Sequence, residues 1–166
     1  GLPMSFEITA FSTCPLGEII DYILPNFHQK HRLELPVLIE LAEKVENRHA
    51  DHPACPKGLA EVIRKVYDDL TMHMMKEEQV LFPLINSGRG PMAAAPISVM
   101  EAEHAEAHND LADIIALTHE FTPPEGACTS WTNLYNGLKT FATDLTNHTE
   151  LENDVLFVRA LRGDQP

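Results

Sequence analysis

The sequence predicts an all-α protein, an up-down-up-down four-helix bundle. Three observations support this fold class. Apolar residues recur at spacings of three and four along four long stretches of the chain. Clusters of proline and glycine separate these stretches, and no alternating apolar–polar run of useful length indicates a strand. Because the connections are short, neighbouring helices are expected to be antiparallel.

Each helix is expected where an apolar stripe follows a turn signal. Pro15 suits the first position of the first helix, because its missing amide donor is not needed there. Pro25 and Pro36 fall inside this helix and should kink or break it, although the stripe keeps its phase across both. The stripes place the helices at roughly residues 16–49, 59–86, 96–121 and 129–161. We therefore expect an N-terminal extension, residues 1–15, and one helical domain, residues 16–162.

Composition limits the classes of function. A chain of 166 residues suits one domain with a full hydrophobic core, and no apolar run is long enough for a membrane span. The net charge of −13 argues against nucleic acid as a partner, because its phosphates would be repelled. The three cysteines include no Cys-x-x-Cys pair, which indicates a reducing compartment without a disulfide framework.

A histidine and a glutamate interrupt the apolar stripe of the second helix. His73 and Glu77 are four residues apart, so their side chains share one face of a helix, where core residues would stand. A buried ionised carboxylate is costly unless it is paired or bound to a metal. The pair is therefore a candidate metal site, although one such motif alone is better explained as an ordinary solvated His–Glu pair.

The same arrangement recurs on the other predicted helices. A second His-x-x-x-Glu motif and a His-x-x-x-His motif interrupt their stripes, and the first helix also turns histidines inward. These residues are His148 and Glu152 on the fourth helix, His104 and His108 on the third, and His28 and His31 on the first. One inward histidine is usually a satisfied core residue, whereas four helices that each supply one, with two inward glutamates, are hard to satisfy except around a metal. His31 could compete with His28, and we expect it to lie outside the ligand set.

The donor types constrain the metal. Imidazole suits iron, zinc, copper and nickel, and carboxylate adds hard-metal character. A single tetrahedral zinc needs only about four ligands, so six or seven candidates indicate two ions. Ferritin-like bundles use Glu-x-x-His, which the order His-x-x-x-Glu does not fit. Two carboxylates that bridge two irons, with histidines completing each ion, fit the pattern better.

The order of these residues resembles the ligand order of hemerythrins. Longer segments around them are similar to the di-iron iron–sulfur cluster repair family (RIC, YtfE/ScdA/DnrN-like), and the similarity covers nearly the whole chain from about Leu16 onward. The segments are His-Gln-Lys-His-Arg-Leu-Glu-Leu-Pro (28–36), His-Met-Met-Lys-Glu-Glu-Gln-Val-Leu-Phe-Pro (73–83), Pro-Ile-Ser-Val-Met-Glu-Ala-Glu-His (96–104) and Leu-Glu-Asn-Asp-Val-Leu-Phe (151–157).

The resemblance implies a hemerythrin-like bundle with two non-haem irons and an oxo or hydroxo bridge. It also implies a cytoplasmic role in repairing iron centres damaged by nitric oxide or peroxide, with nitric oxide bound or reduced at the irons. Glu77 and Glu152 would be the bridging ligands. Partners would be NO, O2 and iron–sulfur client proteins, and both a monomer and a dimer stay open. The implied ligands are His28, His73, Glu77, His104, His148 and Glu152.

Two features depart from the family's usual pattern. Members usually carry a small N-terminal domain with a cysteine pair, for which the residues before the bundle are too few, with only Cys14 in that region. His108 stands where the repair family commonly has a small residue and where oxygen-carrying hemerythrins place a ligand. On two octahedral ions that share two bridging carboxylates and an oxo bridge, four histidine ligands leave about two coordination positions open. Five histidine ligands leave about one position open. His108 is therefore an open hypothesis for a seventh ligand.

Three functions are compatible with these patterns. The first is a di-iron stress protein that supports iron-centre repair and binds or reduces nitric oxide, with reductase activity left open. The second is a hemerythrin-type carrier or sensor that binds O2 or NO reversibly. The third is iron storage or trafficking at a labile site.

The outer ring nitrogens of the ligand histidines also need partners. Metal-bound histidines usually donate their second N–H group, and Tyr22, Tyr67 and Tyr135 are candidate acceptors. Glu103, beside His104, is interpreted as part of a solvated acidic face.

Overall fold

The computed structural model describes residues 6–166, and every regular element in that range is helical. Gly1–Ser5, the start of the predicted N-terminal extension, lie outside the described residues. The rest of the extension contains a short 3₁₀ helix, Ile8–Phe11. The predicted all-α, four-helix fold is confirmed. The first long helix consists of Leu16–Ile23, Leu24–His28 and Gln29–Arg48, and the second of Leu59–Lys76, Glu77–Leu81 and Phe82–Asn86. The third is Ala94–Leu117. The fourth consists of Thr129–Glu150, Leu151–Leu156 and Phe157–Leu161.

Three of the long helices contain a π-helical turn, an element that the sequence did not predict, although a kink or break was expected near Pro25 in the first of them. These turns are Leu24–His28, Glu77–Leu81 and Leu151–Leu156. A π turn bonds each amide to the carbonyl five residues earlier, which inserts one extra residue into the helix. Accordingly, the Phe82 amide donates to the Glu77 carbonyl, and the Phe157 amide donates to the Glu152 carbonyl. The second and third π turns thus start at, or directly before, a glutamate of the predicted site.

The two prolines inside the first helix do not end it. Pro25 lies in the π turn Leu24–His28, where the altered hydrogen-bond register accommodates a residue without an amide donor. Pro36 lies inside Gln29–Arg48, which continues beyond it. The continuous apolar stripe was therefore a better guide to this helix than the prolines were.

The third helix ends at Leu117 rather than near Phe121, so the predicted end was too late. Residues 119–121 all have positive φ, at 50°, 58° and 60°, in the left-handed region that residues with a Cβ rarely enter. The buried Thr118 hydroxyl accepts a hydrogen bond of 3.1 Å from the Phe121 amide, which stabilises this turn. Hydrophobic periodicity carries no signal for such a local hydrogen bond.

The chain divides into two compact units, and each unit contains a segment of every long helix. The first unit comprises the described residues up to His28, together with His73–His104 and Asp144–Pro166. The second comprises Gln29–Met72 and Ala105–Thr143, with a core that includes Trp131 and Phe141. Every candidate ligand except His108 belongs to the first unit. The core of that unit includes Leu16, Ile19, Ile20, Ile23, Phe27, Leu81, Phe82, Ile85, Ile97, Met100, Leu151, Leu156 and Phe157.

Candidate metal centre

Six of the predicted ligands lie buried in the first unit, in two overlapping groups. Within each group, one ligand atom from every residue lies within 4.8 Å of the others. The groups have both glutamates in common, so a cation in each would share the same two carboxylates. The first group is His28, His148, Glu77 and Glu152, and the second is His73, His104, Glu77 and Glu152.

Local helical structure sets the direction of these side chains. His73 lies in the last turn of Leu59–Lys76 and His148 in the last turn of Thr129–Glu150, so each precedes a π turn. The spacing of four residues keeps each histidine on the same face as the glutamate that follows it. His28 is the last residue of its own π turn, whereas His104 lies within the uninterrupted third helix.

Each shared carboxylate contacts two imidazoles. Glu77 Oε1 lies 3.1 Å from His28 Nε2 and 3.3 Å from His73 Nε2. Glu152 lies 2.8 Å from His104 Nε2 through Oε1, and 3.1 Å from His148 Nε2 through Oε2. The same ring nitrogen of all four histidines therefore faces the carboxylates.

Three of these histidines use their other ring nitrogen, Nδ1, to hold an outer partner. Carboxylate and amide oxygens accept hydrogen bonds, so Nδ1 is the donor and carries the proton. This tautomer leaves Nε2 with a lone pair, the form that binds a metal. The pairs are His28 with Glu78 Oε2 at 2.7 Å, His73 with Glu103 Oε1 at 2.9 Å, and His104 with Asn153 Oδ1 at 2.8 Å.

This arrangement fits a cation at its centre. The Nε2 atoms of His73 and His104 lie 3.1 Å apart, although both rings donate outward through Nδ1. Glu77 Oε2 is buried, and no group among the described residues donates a hydrogen bond to it. Lone pairs and carboxylate charge buried together are unfavourable unless positive charge lies among them. The donor set of imidazole and carboxylate suits a transition metal such as iron.

Protons are drawn to the same positions when no metal is bound. Burial disfavours the charged imidazoles, but the two shared carboxylates outweigh burial and raise the pKa of His28 and His104. The same balance raises the pKa of His73 to about 9. Burial, assisted by the positive charge of His28, holds the pKa of His148 well below its ordinary value. Burial alone would raise the pKa of Glu152, yet the hydrogen bond and charge of His104 lower it.

The remaining histidines lie in the second unit. His108 is half-buried and belongs to neither group, so its role as a seventh ligand stays a prediction. His31 is buried outside both groups, with its ring edge-on to Phe141 and the ring centres 5.3 Å apart. His49 Nε2 lies 3.3 Å from the Cys128 thiol.

Sequence reasoning missed two of the outer partners, Glu78 and Asn153, and interpreted Glu103 as merely solvated. The acceptors in the three hydrogen bonds are these residues, not tyrosines. A signal for the two missed residues was present. Each directly follows a glutamate of the site, in the matching segments Glu-Glu-Gln-Val-Leu-Phe (77–82) and Glu-Asn-Asp-Val-Leu-Phe (152–157).

The fold and this site define a hemerythrin-like protein, and comparison with known proteins agrees. The family model described as the hemerythrin HHE cation binding domain matches residues 20–160. The chain is 55% identical over 150 residues to the iron–sulfur cluster repair protein YtfE of Pectobacterium carotovorum, which covers 90% of this chain and 68% of the relative. YtfE of Cronobacter sakazakii is 52% identical over 155 residues, 93% of this chain and 70% of the relative. The chain belongs to the hemerythrin-like family of iron–sulfur cluster repair proteins.

Within residues 6–166, no helix combines the length and the apolar character that crossing a bilayer requires.

Proposed function

We propose that the chain holds two iron ions, one in each of the two groups, with Glu77 and Glu152 as bridging ligands and an oxo or hydroxo bridge between the ions. The observation that carries this proposal is that both groups contain the same two glutamates, while each has two histidines of its own. Imidazole and carboxylate donors together suit iron. When bound, the ion pair supplies redox electrons and open coordination positions for a diatomic ligand.

The biological role proposed is a response to nitrosative and oxidative stress, in which the chain supports repair of damaged iron–sulfur centres. Relatives with 50% to 55% identity over 90% of the chain are named iron–sulfur cluster repair proteins. Its partners in this role are iron–sulfur client proteins and the diatomic molecules NO and O2. The cytoplasmic location that this role implies stays a prediction, as does the choice between monomer and dimer.

Binding or reduction of nitric oxide is the chemistry we propose for the centre. Among the described residues, neither group contains a third histidine. Four histidines, two bridging carboxylates and the oxo or hydroxo bridge leave about two positions open on two six-coordinate ions. Two open positions would leave room for two NO molecules. Their reduction to one nitrous oxide and one water consumes two electrons and two protons.

The chain's own residues prepare the centre for this chemistry. The outer hydrogen bonds of His28, His73 and His104 fix Nε2 as the inward donor. All six ligand residues are almost fully buried, with exposed fractions of 0% to 2%. Burial excludes bulk water and strengthens the attraction between the carboxylates and a bound cation.

Metal analysis tests the iron assignment. Protein from iron-fed cells is expected to contain two irons per chain, with Mössbauer spectra of a coupled pair. A matched Glu61→Ala variant, altered at an exposed position of the second unit, should be unchanged. One iron per chain, or two irons without magnetic coupling, would contradict a bridged pair.

Anaerobic nitric oxide tests the chemistry. Addition of NO to the diferrous protein, with a reductant present, is expected to yield nitrous oxide over repeated turnovers. Stable NO binding without nitrous oxide would instead support a binder or sensor, and reversible O2 binding would support a hemerythrin-type carrier. Reactivation of an NO-damaged iron–sulfur protein, with metal-free protein as the control, tests the repair role separately.

A further inference from the structure

The π turn of the second helix holds the imidazole of His28 from two sides. Glu78 Oε2 accepts the hydrogen bond from His28 Nδ1 at 2.7 Å. The Phe82 ring stacks on the same imidazole, with ring centres 5.6 Å apart and an interplanar angle of 17°. The hydrogen bond fixes the rotation of the imidazole within its own plane, and the stacked phenylalanine fixes the orientation of that plane.

The π turn of the fourth helix holds His104 in the same way. Asn153 Oδ1 accepts the hydrogen bond from His104 Nδ1 at 2.8 Å. The Phe157 ring stacks on this imidazole, with ring centres 6.1 Å apart and an interplanar angle of 7°. Each π turn therefore holds a histidine supplied by the preceding long helix.

The two arrangements match residue by residue. In each, the hydrogen-bond acceptor directly follows a shared glutamate, and the stacking phenylalanine comes five residues after that glutamate. In each helix, the backbone amide of this phenylalanine donates the π-type hydrogen bond to the backbone carbonyl of the shared glutamate. The acceptor and the phenylalanine are four residues apart in each helix, so their side chains share one face and can reach the same imidazole.

The matched positions differ in charge, because Glu78 is a carboxylate and Asn153 is an amide. A hydrogen bond to a carboxylate is roughly twice as strong as one between neutral groups. An outer carboxylate also makes the imidazole a stronger donor to its metal. His28 and His104 belong to different groups, so this difference acts on one ion at a time.

We propose that Glu78 and Asn153 are corresponding positioning residues, and that the carboxylate at 78 strengthens the hold of His28 on its ion more than the amide at 153 does for His104. This inference rests on the proposed function, because it requires an ion in each group. Glu78 strengthens the hold of His28 on the ion that His28 shares with His148. Asn153 orients His104 without adding charge, so the outer carboxylate of the second group acts through His73, which contacts Glu103.

Stepwise metal titration tests this difference between Glu78 and Asn153. Metal-free protein is titrated with Co²⁺ against a competing chelator, which resolves two binding steps. Glu78→Gln is expected to weaken one step by about 10- to 100-fold and to leave the other within about twofold. Asn153→Asp is expected to strengthen the other step, and Glu61→Gln, altered in the second unit, should change neither. Equal weakening of both steps by Glu78→Gln, or no change in either, would overturn the proposal.

The metal-free protein separates failure of this inference from failure of the proposed function. In ¹⁵N NMR spectra, His28 is expected to show a protected Nδ1–H group, and this signal should be lost in Glu78→Leu but regained in Glu78→Gln. If the wild-type chain does not bind two ions, the proposed function fails, whereas this signal still reports the positioning contact. A His28 signal that is the same in Glu78→Leu and wild type would rule out Glu78 as the positioning residue.

Discussion

The Nε2 atoms of His73 and His104 lie 3.1 Å apart, and the imidazole planes are tilted by 46°. Both rings donate outward through Nδ1, so when both imidazoles are neutral their two inward lone pairs face each other beside the shared carboxylates. Two lone pairs at this distance repel, and the buried carboxylate charge adds to the cost. A cation between the donors turns the same geometry from unfavourable to favourable, which links metal content to stability.

Metal removal should therefore destabilise the protein. A ligand that binds only the folded state adds about 2.7 kcal/mol to the free energy of unfolding at one hundred times its Kd. We expect the Tm of metal-free protein to lie below that of the iron-loaded form and to recover when Fe²⁺ is restored. Differential scanning calorimetry of the two forms provides the measurement. Equal Tm values would show that the buried donors do not depend on a cation.

Removal of one shared carboxylate should affect both metal positions. Glu77 belongs to both groups, so Glu77→Ala is expected to lose at least one ion per chain. His28→Ala removes a donor from the first group only, and it should spare the second ion more than Glu77→Ala does. The measurement is the iron content per chain of the Glu77→Ala and His28→Ala variants. An unchanged content of two irons in Glu77→Ala would count against bridging.

The four helices and their inward-facing histidines and glutamates were predictable from spacing, whereas the choice of six of these residues as a ligand set came from the resemblance to a known family. Apolar periodicity survives local disturbances such as Pro36, and residues four apart share a face wherever a helix forms. The π turns were not predictable in this way, since apolar spacing that indicates a helix does not distinguish a single π turn from an α turn. Glu78 and Asn153 lie within two of those turns, and the left-handed turn at residues 119–121 is stabilised by one buried threonine.

Close packing in the first unit gives a test that does not involve metal. A Cβ atom added to Gly90 would lie 2.5 Å from the Ala160 carbonyl oxygen, a backbone atom that cannot rotate away. Gly90→Ala is expected to lower the free energy of unfolding by about 1–3 kcal/mol. Gly17→Ala is the matched control, because its added Cβ would meet the Asn86 side chain at 3.4 Å. Urea denaturation measures both variants, and equal effects would contradict this account of Gly90.

The seventh-ligand hypothesis for His108 has a direct test. His108 belongs to neither group, so we expect His108→Ala to keep two ions and an unchanged Mössbauer spectrum. His104→Ala, one turn earlier on the same helix, should lose the ion of the second group. Loss of iron or altered quadrupole splitting in His108→Ala would instead make His108 a ligand and leave fewer open positions for nitric oxide.

The raised pKa of His73 makes the stability of the metal-free protein depend on pH. The folded pKa is about 9 against an ordinary value of 6.5, so the folded state binds this proton more tightly than the unfolded chain. The resulting stabilisation is complete below the ordinary value of 6.5 and is lost as pH rises through about 9. Metal affinity instead increases as pH rises, because an imidazole must be neutral to bind the metal.

We therefore expect the Tm of metal-free protein to fall between about pH 6.5 and pH 9, and that of the iron-loaded form to fall less. His73→Gln removes the titrating group, so the metal-free variant should show a smaller fall over the same range. Thermal denaturation at closely spaced pH values checks all three curves. A Tm of metal-free protein that rises with pH would show that protonated His73 does not stabilise the fold, since positive charge at that position would then be a cost.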